Sequence, residues 1–385
     1  MRAGASVSCP SPVIVHVITN LRSSSGGPTT AVVELAREQA ARGEAVRILC
    51  DEPLGEDGGA PGRWSDVDVR VLAPSGGPGG RGMPREEIGR RLAEVGPRVV
   101  HLHGVWDPIL RRASAESARL GIPWVLSSHG MLHPFTLRQG FLKKRLYLGV
   151  FPRLVGSARA VLTLNREEAD AVRRRFRVRA VVAPNGIDPR PYERAADGSF
   201  ARSIPALGGR PFVLFLGRLD PIKGIDQLLA AFGLAVSNGL AADLVIAGPD
   251  FGAGPGLRAQ VARLGIESRV HLAGPLSGAL KLQALAECAV FAHRPRYEGF
   301  GLAVAEAMAA ARPVVTTERC LLDGAAQAGA IRVVADDDRT FAKGICDLAD
   351  DVEGSGLLGM RAREWIRRVL AWPAVIERIE SGYRA

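Results

Sequence analysis

Aromatic side chains are scarce in this chain, 5% of 385 residues, and no DNA- or RNA-binding module signature accompanies them. Sequence-specific reading of nucleic acid is therefore not expected. Cysteine is sparse too: Cys9, Cys50, Cys288, Cys320 and Cys346 stand apart, with no C-x-x-C spacing. That excludes a cysteine zinc site or a disulfide framework and suits reduced, mostly buried thiols. No apolar run reaches the ~18 residues that span a bilayer. The N-terminal MRAGASVSCPSP lacks the apolar centre of a signal peptide, so a cytoplasmic location is expected.

What is present is a hydrophobic content of 47%, enough for full burial, in a chain long enough for two domains. The formal charge of +10 favours polyanionic partners: nucleic acid, an anionic membrane face or phosphorylated substrates. Short β-rich runs alternate with helical patterns. Candidate strands lie at 13–18, 46–50, 67–72, 98–103, 123–128 and 160–164, then at 212–217, 243–248, 269–274, 289–293 and 313–317. Runs that are hydrophobic on both faces suit buried parallel strands. Ile225, Leu228, Leu229 and Phe232 follow the i, i+3, i+4, i+7 pattern of a helix. The expected architecture is α/β, with two doubly wound domains. Residues 1–12 read as a disordered tail, 13–185 as the first domain, 186–210 as a linker rich in Pro, Gly and charge, 211–364 as the second domain and 365–385 as a closing helix. The stretch 51–64 reads as a surface loop.

In open α/β sheets ligands bind beyond the C-terminal ends of strands, where helix N-termini present free N–H groups. Four stretches occupy such positions. EGFGLAVAEAM (298–308) places Glu298 before a Gly299-Phe300-Gly301 turn and Glu306 inside a helix, so that N–H groups near Gly301 and Leu302 can receive a phosphate. The bland alternative is one loop and one solvated helix glutamate. FLGRLDPIKG puts Arg218 and Lys223 at a strand-to-helix junction, which suits a diphosphate; ordinary surface charge is the alternative. SSSGGPTTAVVELA (23–36) sets Gly26 and Gly27 at a helix start, and LSSHGMLHP (126–134) sets His129 just past a strand, where a histidine is often structural. GPGGRG (77–82) matches G-x-G-x-x-G without the strand, helix and acidic residue that a dinucleotide site needs. DVD (66–68) suits outward side chains on a strand better than a metal pair, and DDD (336–338) reads as a solvated turn.

SGGP, PNGID, GRLDPIKG and EGFGLAVAEAM, in the order of the chain, resemble the retaining nucleotide-sugar glycosyltransferases of family 4. HGMLHPFTLRQGFLKKRLY (129–147) is similar to a variant found in bacterial polysaccharide biosynthesis, and LAWPAVIERIESGYR (370–384) resembles the family's closing helix. The resemblance implies the GT-B fold, two Rossmann-like domains facing across a cleft. It implies that Arg218 and Lys223 hold the donor diphosphate and Glu306 the ribose. Glu298 would contact the donor sugar, with N–H groups of Phe300, Gly301 and Leu302 on its hydroxyls or phosphate. His129, Gly26 and Gly27 would approach from the first domain, with His129 and Glu298 as the catalytic pair. It further implies transfer with retention to a saccharide or lipid-linked acceptor, with no metal or other cofactor. The rival readings are a non-catalytic sugar-nucleotide-binding partner of another glycosyltransferase and, more distantly, a nicotinamide-dependent oxidoreductase.

This chain departs from the family where His293 and Arg294 replace a Pro-Ser pair, where Ala311 replaces a glycine, and where ERCLLDGAAQ (318–327) replaces a Gly-Gly. Between Arg138 and Arg153, Lys143, Lys144 and Arg145 are interleaved with Phe141, Leu142, Leu146 and Val150. The helical spacing of Leu142, Leu146 and Val150 suits packing on the domain core, while the cations suit peripheral attachment to an anionic membrane.

Overall fold

A computed structural model describes residues 13–21, 27–51, 69–72 and 82–384. The tail at 1–12, Gly26, DVD, most of the 51–64 loop and all of GPGGRG except Gly82 lie outside the described residues. The chain divides into two compact units, Met1–Gly186 with Val375–Ala385, and Ile187–Ala374.

The first unit is built on seven strands: β1 (Val13–Ile18), β2 (Ala45–Cys50), β3 (Val69–Leu72), β4 (Val99–His103), β5 (Trp124–Ser127), β6 (Ala160–Thr163) and β7 (Ala180–Val182). They pair in parallel in the order β3-β2-β1-β4-β5-β6-β7. The second holds β8 (Phe212–Leu216), β9 (Asp243–Ala247), β10 (Val270–Gly274), β11 (Val290–His293), β12 (Val314–Thr317) and β13 (Arg332–Val334), in parallel in the order β10-β9-β8-β11-β12-β13. Both are doubly wound sheets, as the sequence leads one to expect. The order reverses between β1 and β4 in the first unit and between β8 and β11 in the second, where such sheets leave a crevice for ligands.

Central strands are buried along their whole length: β4, β8 and β9 expose no residue. The Ile225–Ser237 helix buries Ile225, Leu228, Leu229 and Phe232, each contributing roughly 1.5–3 kcal/mol by leaving water. Of the stretch 186–210, all but Gly186 is folded chain of the second unit rather than a loose linker. It forms short helical turns at Arg190–Tyr192, Ser199–Arg202 and Pro205–Leu207, with Phe200 and Leu207 buried. The Glu287 carboxylate accepts from the N–H groups of Phe200 and Ala201. Two apolar anchors in a polar, aperiodic stretch leave no periodic trace. At the other end of this unit a π-helical turn at Ile366–Leu370 precedes the Trp372–Tyr383 helix.

The Leu302–Ala309 helix ends in a Schellman motif: Ala311 N–H donates to Met308 O and Arg312 N–H to Ala307 O. The left-handed residue this motif needs is Ala311, at φ 54°, a conformation that favours glycine. A left-handed L-residue costs roughly 1–2 kcal/mol, whereas the added chain freedom of glycine when unfolded costs ~0.4–1 kcal/mol. Ala311→Gly is therefore expected to stabilise the protein by a few tenths to about 1 kcal/mol, read as a higher urea midpoint. A lower midpoint refutes the strain.

Candidate active site

At the reversal point of the second sheet, the exits of β8 and β11 are clipped together. Beyond β8, Asp220 caps a turn by accepting from Ile222 N–H, and Pro221–Lys223 form one 3₁₀ turn. Gly224 follows at φ 63°, and a Cβ there would sit 2.1 Å from Arg294 O, so only glycine lets the turn lie this close to the β11 exit. Arg296 completes the clip. Its backbone N–H donates to Ile222 O, and its guanidinium grips both oxygens of Asp226 at 2.7 and 2.6 Å.

This clip brings Lys223 and Glu298 together across 75 residues of sequence: Nζ donates to Glu298 Oε2 at 2.5 Å. His293, at the end of β11, donates from Nε2 to the same oxygen at 3.2 Å. Glu298 is also fixed through its backbone, taking its N–H to Arg319 O and receiving Leu321 N–H. Burial pushes the Glu298 carboxyl up, but His293 and Lys223 outweigh it and hold its pKa at about 2. Burial in turn pushes the His293 imidazole down, against the pull of Glu298. The group is thus a fixed carboxylate, a neutral imidazole and a cation. Arg294, the other departure from the family pattern, is buried and structural. It bonds Asp336 at 3.1 Å, Asp338 and Gln227 O.

Gly301 caps the Leu302–Ala309 helix at φ 77°, with Phe300 buried beneath it. The N–H groups of Leu302 and the next residues open that helix, as the glycine turn leads one to expect. Glu306, one turn on, belongs to a different group: it accepts from Lys281 Nζ at 2.6 Å and from Tyr192 OH at 3.0 Å. Neither partner is visible from the motif. Arg218 is exposed beside β8, with its guanidinium 5.1 Å from the centre of the Phe251 ring.

In the first unit, Gly27 opens the Gly27–Ala41 helix after β1, and His129 follows β5 with a left-handed backbone at φ 48°. Strain of this kind in a non-glycine residue is concentrated at functional positions. His129 Nε2 lies 3.1 Å from His103 Nδ1, and His103 Nε2 lies 2.8 Å from His16 Nδ1. Burial lowers the pKa of His16 and of His129 to about 4, opposed at His16 by the hydrogen bond it makes to Gln39. Burial also takes His101 and His103 well below the usual imidazole range. The motif around His129 gave no sign of these partners.

The Phe141–Val150 helix corrects one expectation. Leu142, Leu146 and Val150 do not pack on the core but remain 78%, 69% and 56% exposed, and Phe141 47%. The residue that docks the helix is Leu148, with Tyr147 half-buried beside it. Lys144 turns away from solvent, donating to Thr136 O with its ammonium 5.5 Å from the Trp106 ring. Arg138, Lys143, Arg145 and Arg153 remain exposed.

Residues 25–190 match the family described as Glycosyltransferase Family 4, and residues 210–351 match Glycosyl transferases group 1. The chain is 28% identical to a GDP-mannose:cellobiosyl-diphosphopolyprenol alpha-mannosyltransferase of Xanthomonas oryzae pv. oryzae, over 77% of this chain and 76% of that protein. Among solved structures, the sucrose-phosphate synthase of Thermosynechococcus elongatus superposes with a TM-score of 0.78 at 21% identity, over 97% of this chain and 98% of that one. Anabaena HepE in complex with UDP-glucose superposes at 0.73 and 18%, over 96% and 98%.

Because the folded pKa of Glu298 lies below its ordinary value of 4.5, its stabilising effect is complete above about pH 4.5 and lost as pH falls towards about 2. Glu298→Gln is expected to cost about 1.5–3 kcal/mol at neutral pH, the range for hydrogen bonds to charged groups. That deficit should shrink steadily below pH 4.5 in urea unfolding. A deficit that stays constant down to about pH 3 contradicts the assignment.

Proposed function

This chain belongs to the family 4 glycosyltransferases with the GT-B fold and acts with a nucleotide-sugar donor; from that premise we propose that it moves a hexose to a lipid-linked saccharide with retention of anomeric configuration. The observation that carries this reading is the Lys223–Glu298–His293 group at the reversal point of the second sheet. Cleaving a sugar–diphosphate bond develops negative charge on the departing phosphate and positive character at the anomeric carbon. An ammonium has three N–H donors, so Lys223 can keep Glu298 on one and offer the others to phosphate oxygens. Arg218 supplies the second cation, and the opening N–H groups of the Leu302–Ala309 helix supply fixed dipoles. Glu298, ionised and immobile, accepts hydrogen bonds from donor-sugar hydroxyls. Glu306 binds the ribose hydroxyls after exchanging its bond to Tyr192. As the anomeric carbon–phosphate bond breaks, the acceptor oxygen bonds to that carbon on the same face and its proton passes to the leaving phosphate. The family resemblance and the left-handed backbone of His129 support a hydrogen-bonding role for that residue toward the sugar in transfer. With these charges compensating the diphosphate, the reaction requires no metal.

The purified chain, supplied in EDTA with sugar nucleotides and a polyprenyl-diphosphate saccharide, is expected to transfer the sugar. Lys223→Ala and Arg218→Ala are each expected to weaken nucleoside-diphosphate binding by ~1.5–3 kcal/mol. Undiminished affinity in both variants sinks the assignment.

A lipid-linked acceptor requires the chain to work at a membrane, and the Phe141–Val150 helix has the chemistry for it. Four exposed apolar side chains stand on it with Lys143 and Arg145, and exposed Arg138 and Arg153 flank it in sequence. Each cation near an anionic surface contributes about 1 kcal/mol. Sedimentation with acidic-lipid vesicles should carry the protein down at low salt and release it as salt rises. Protein that stays in the supernatant at low salt points to a soluble acceptor.

A further inference from the structure

We propose that Gln39 fixes which ring nitrogen of His129 carries the proton, acting through His103 and His16, so that His129 offers Nδ1 as a lone-pair acceptor. The inference that this tautomer serves sugar transfer rests on the role given to His129 above; the tautomer itself does not.

One buried network threads the C-terminal ends of β1, β4 and β5. Its contacts run from His129 Nε2 to His103 Nδ1, 3.1 Å, from His103 Nε2 to His16 Nδ1, 2.8 Å, and from His16 Nε2 to Gln39 Oε1, 2.7 Å. Gln39 Nε2 donates to Tyr383 OH at 3.0 Å. Tyr383 OH lies 2.9 Å from His101 Nδ1, and His101 Nε2 lies 2.7 Å from Ser127 Oγ. A neutral imidazole has one donor and one acceptor, so each assignment dictates the next. Burial keeps all four histidines neutral, which gives each ring a single proton.

The direction of the chain is set at Tyr383. A phenol is a stronger acid than a neutral imidazole, and an imidazole lone pair is a stronger base than a phenol oxygen. Tyr383 therefore donates to His101 Nδ1 and keeps its oxygen lone pair for the Gln39 amide N–H. The amide oxygen then faces His16, which must hold its proton on Nε2 and accept at Nδ1. His103 donates from Nε2 and accepts at Nδ1, and His129 donates from Nε2. All four rings are Nε2–H. Turning the Gln39 amide over would reverse every bond and make all four Nδ1–H, so the network has two complete orderings, and the Gln39 amide, held by Tyr383, passes the choice on to His16, His103 and His129. Gln39, His16 and His103 are positioning residues.

A metal reading of the same cluster fails on geometry. Ring nitrogens of His16, His101 and His103 lie within 4.8 Å of one another. The rings of His101 and His103, however, are stacked, with centroids 4.0 Å apart. In-plane lone pairs of stacked rings run side by side instead of converging. Each of the six ring nitrogens already has a partner.

The test is a long-range proton–nitrogen correlation spectrum of the full chain labelled with ¹⁵N-histidine, at neutral pH. The expected result is the Nε2–H pattern for His129. An Nδ1–H pattern that disappears in His129→Asn overturns the proposal, and this measurement requires no Gln39 variant to fold and no transfer to be detected. In Gln39→Leu, His129 is expected to show both tautomers. In that variant kcat should fall in proportion to the Nε2–H fraction lost, about twofold for an even mixture, with donor KM unchanged. Gln39→Glu keeps an oxygen facing His16 and is expected to restore the Nε2–H pattern and most of kcat. A Gln39→Leu protein with an unmixed Nε2–H pattern and wild-type kcat also overturns it.

Discussion

The bond between Lys223 and Glu298 is the constraint around which the second unit's ligand face is arranged. It joins the turn after β8 to the loop after β11, the two neighbours between which the strand order reverses. Gly224 and Arg296 exist in their present roles because that junction must be tight: one removes a side chain from the contact, the other adds a bidentate clamp. A carboxylate at that depth is tolerable only with a cation and a donor on it, and His293 is the donor. The departure from the family's Pro-Ser pair thus has a physical use. One new side chain supports Glu298 and the other, Arg294, ties the β11 exit to Asp336 and Asp338.

Much of this was legible from local pattern. Runs such as FVLFLG and DLVIAG are apolar on both faces, and they are fully buried parallel strands. β7 and β13 escaped notice because each has three residues at a sheet edge, and β13 is largely exposed, so no apolar run marks it. The glycine turn before Leu302 and the turn carrying Lys223 were legible because each is built from consecutive residues, although the bond from Lys223 to Glu298 spans 75 positions. The partners of Glu306, Lys281 and Tyr192, stand 25 and 114 positions away and carry no local signature.

The histidines make the same point from the opposite side. VIVHVI displays one histidine inside an apolar strand and RVVHLH two. Nothing in either run reveals that the register pairs His16 with His101, or that Ser127 lies opposite His103. A parallel sheet buried on both faces gives a polar side chain no water to turn to, so such residues must satisfy one another. Stacked rings and a saturated hydrogen-bond chain are the consequence.

The first unit is discontinuous, and Tyr383 belongs to its second segment. During synthesis His16, His101 and His129 emerge well before Tyr383, which follows the entire stretch from Ile187 to Ala374. Until it arrives, Gln39 lacks the phenol that orients its amide, and His101 lacks its donor. The first unit can therefore collapse early around its apolar strands but can reach its final polar order only once the second unit has left the ribosome. Maturation of one half of the molecule is timed by production of the other.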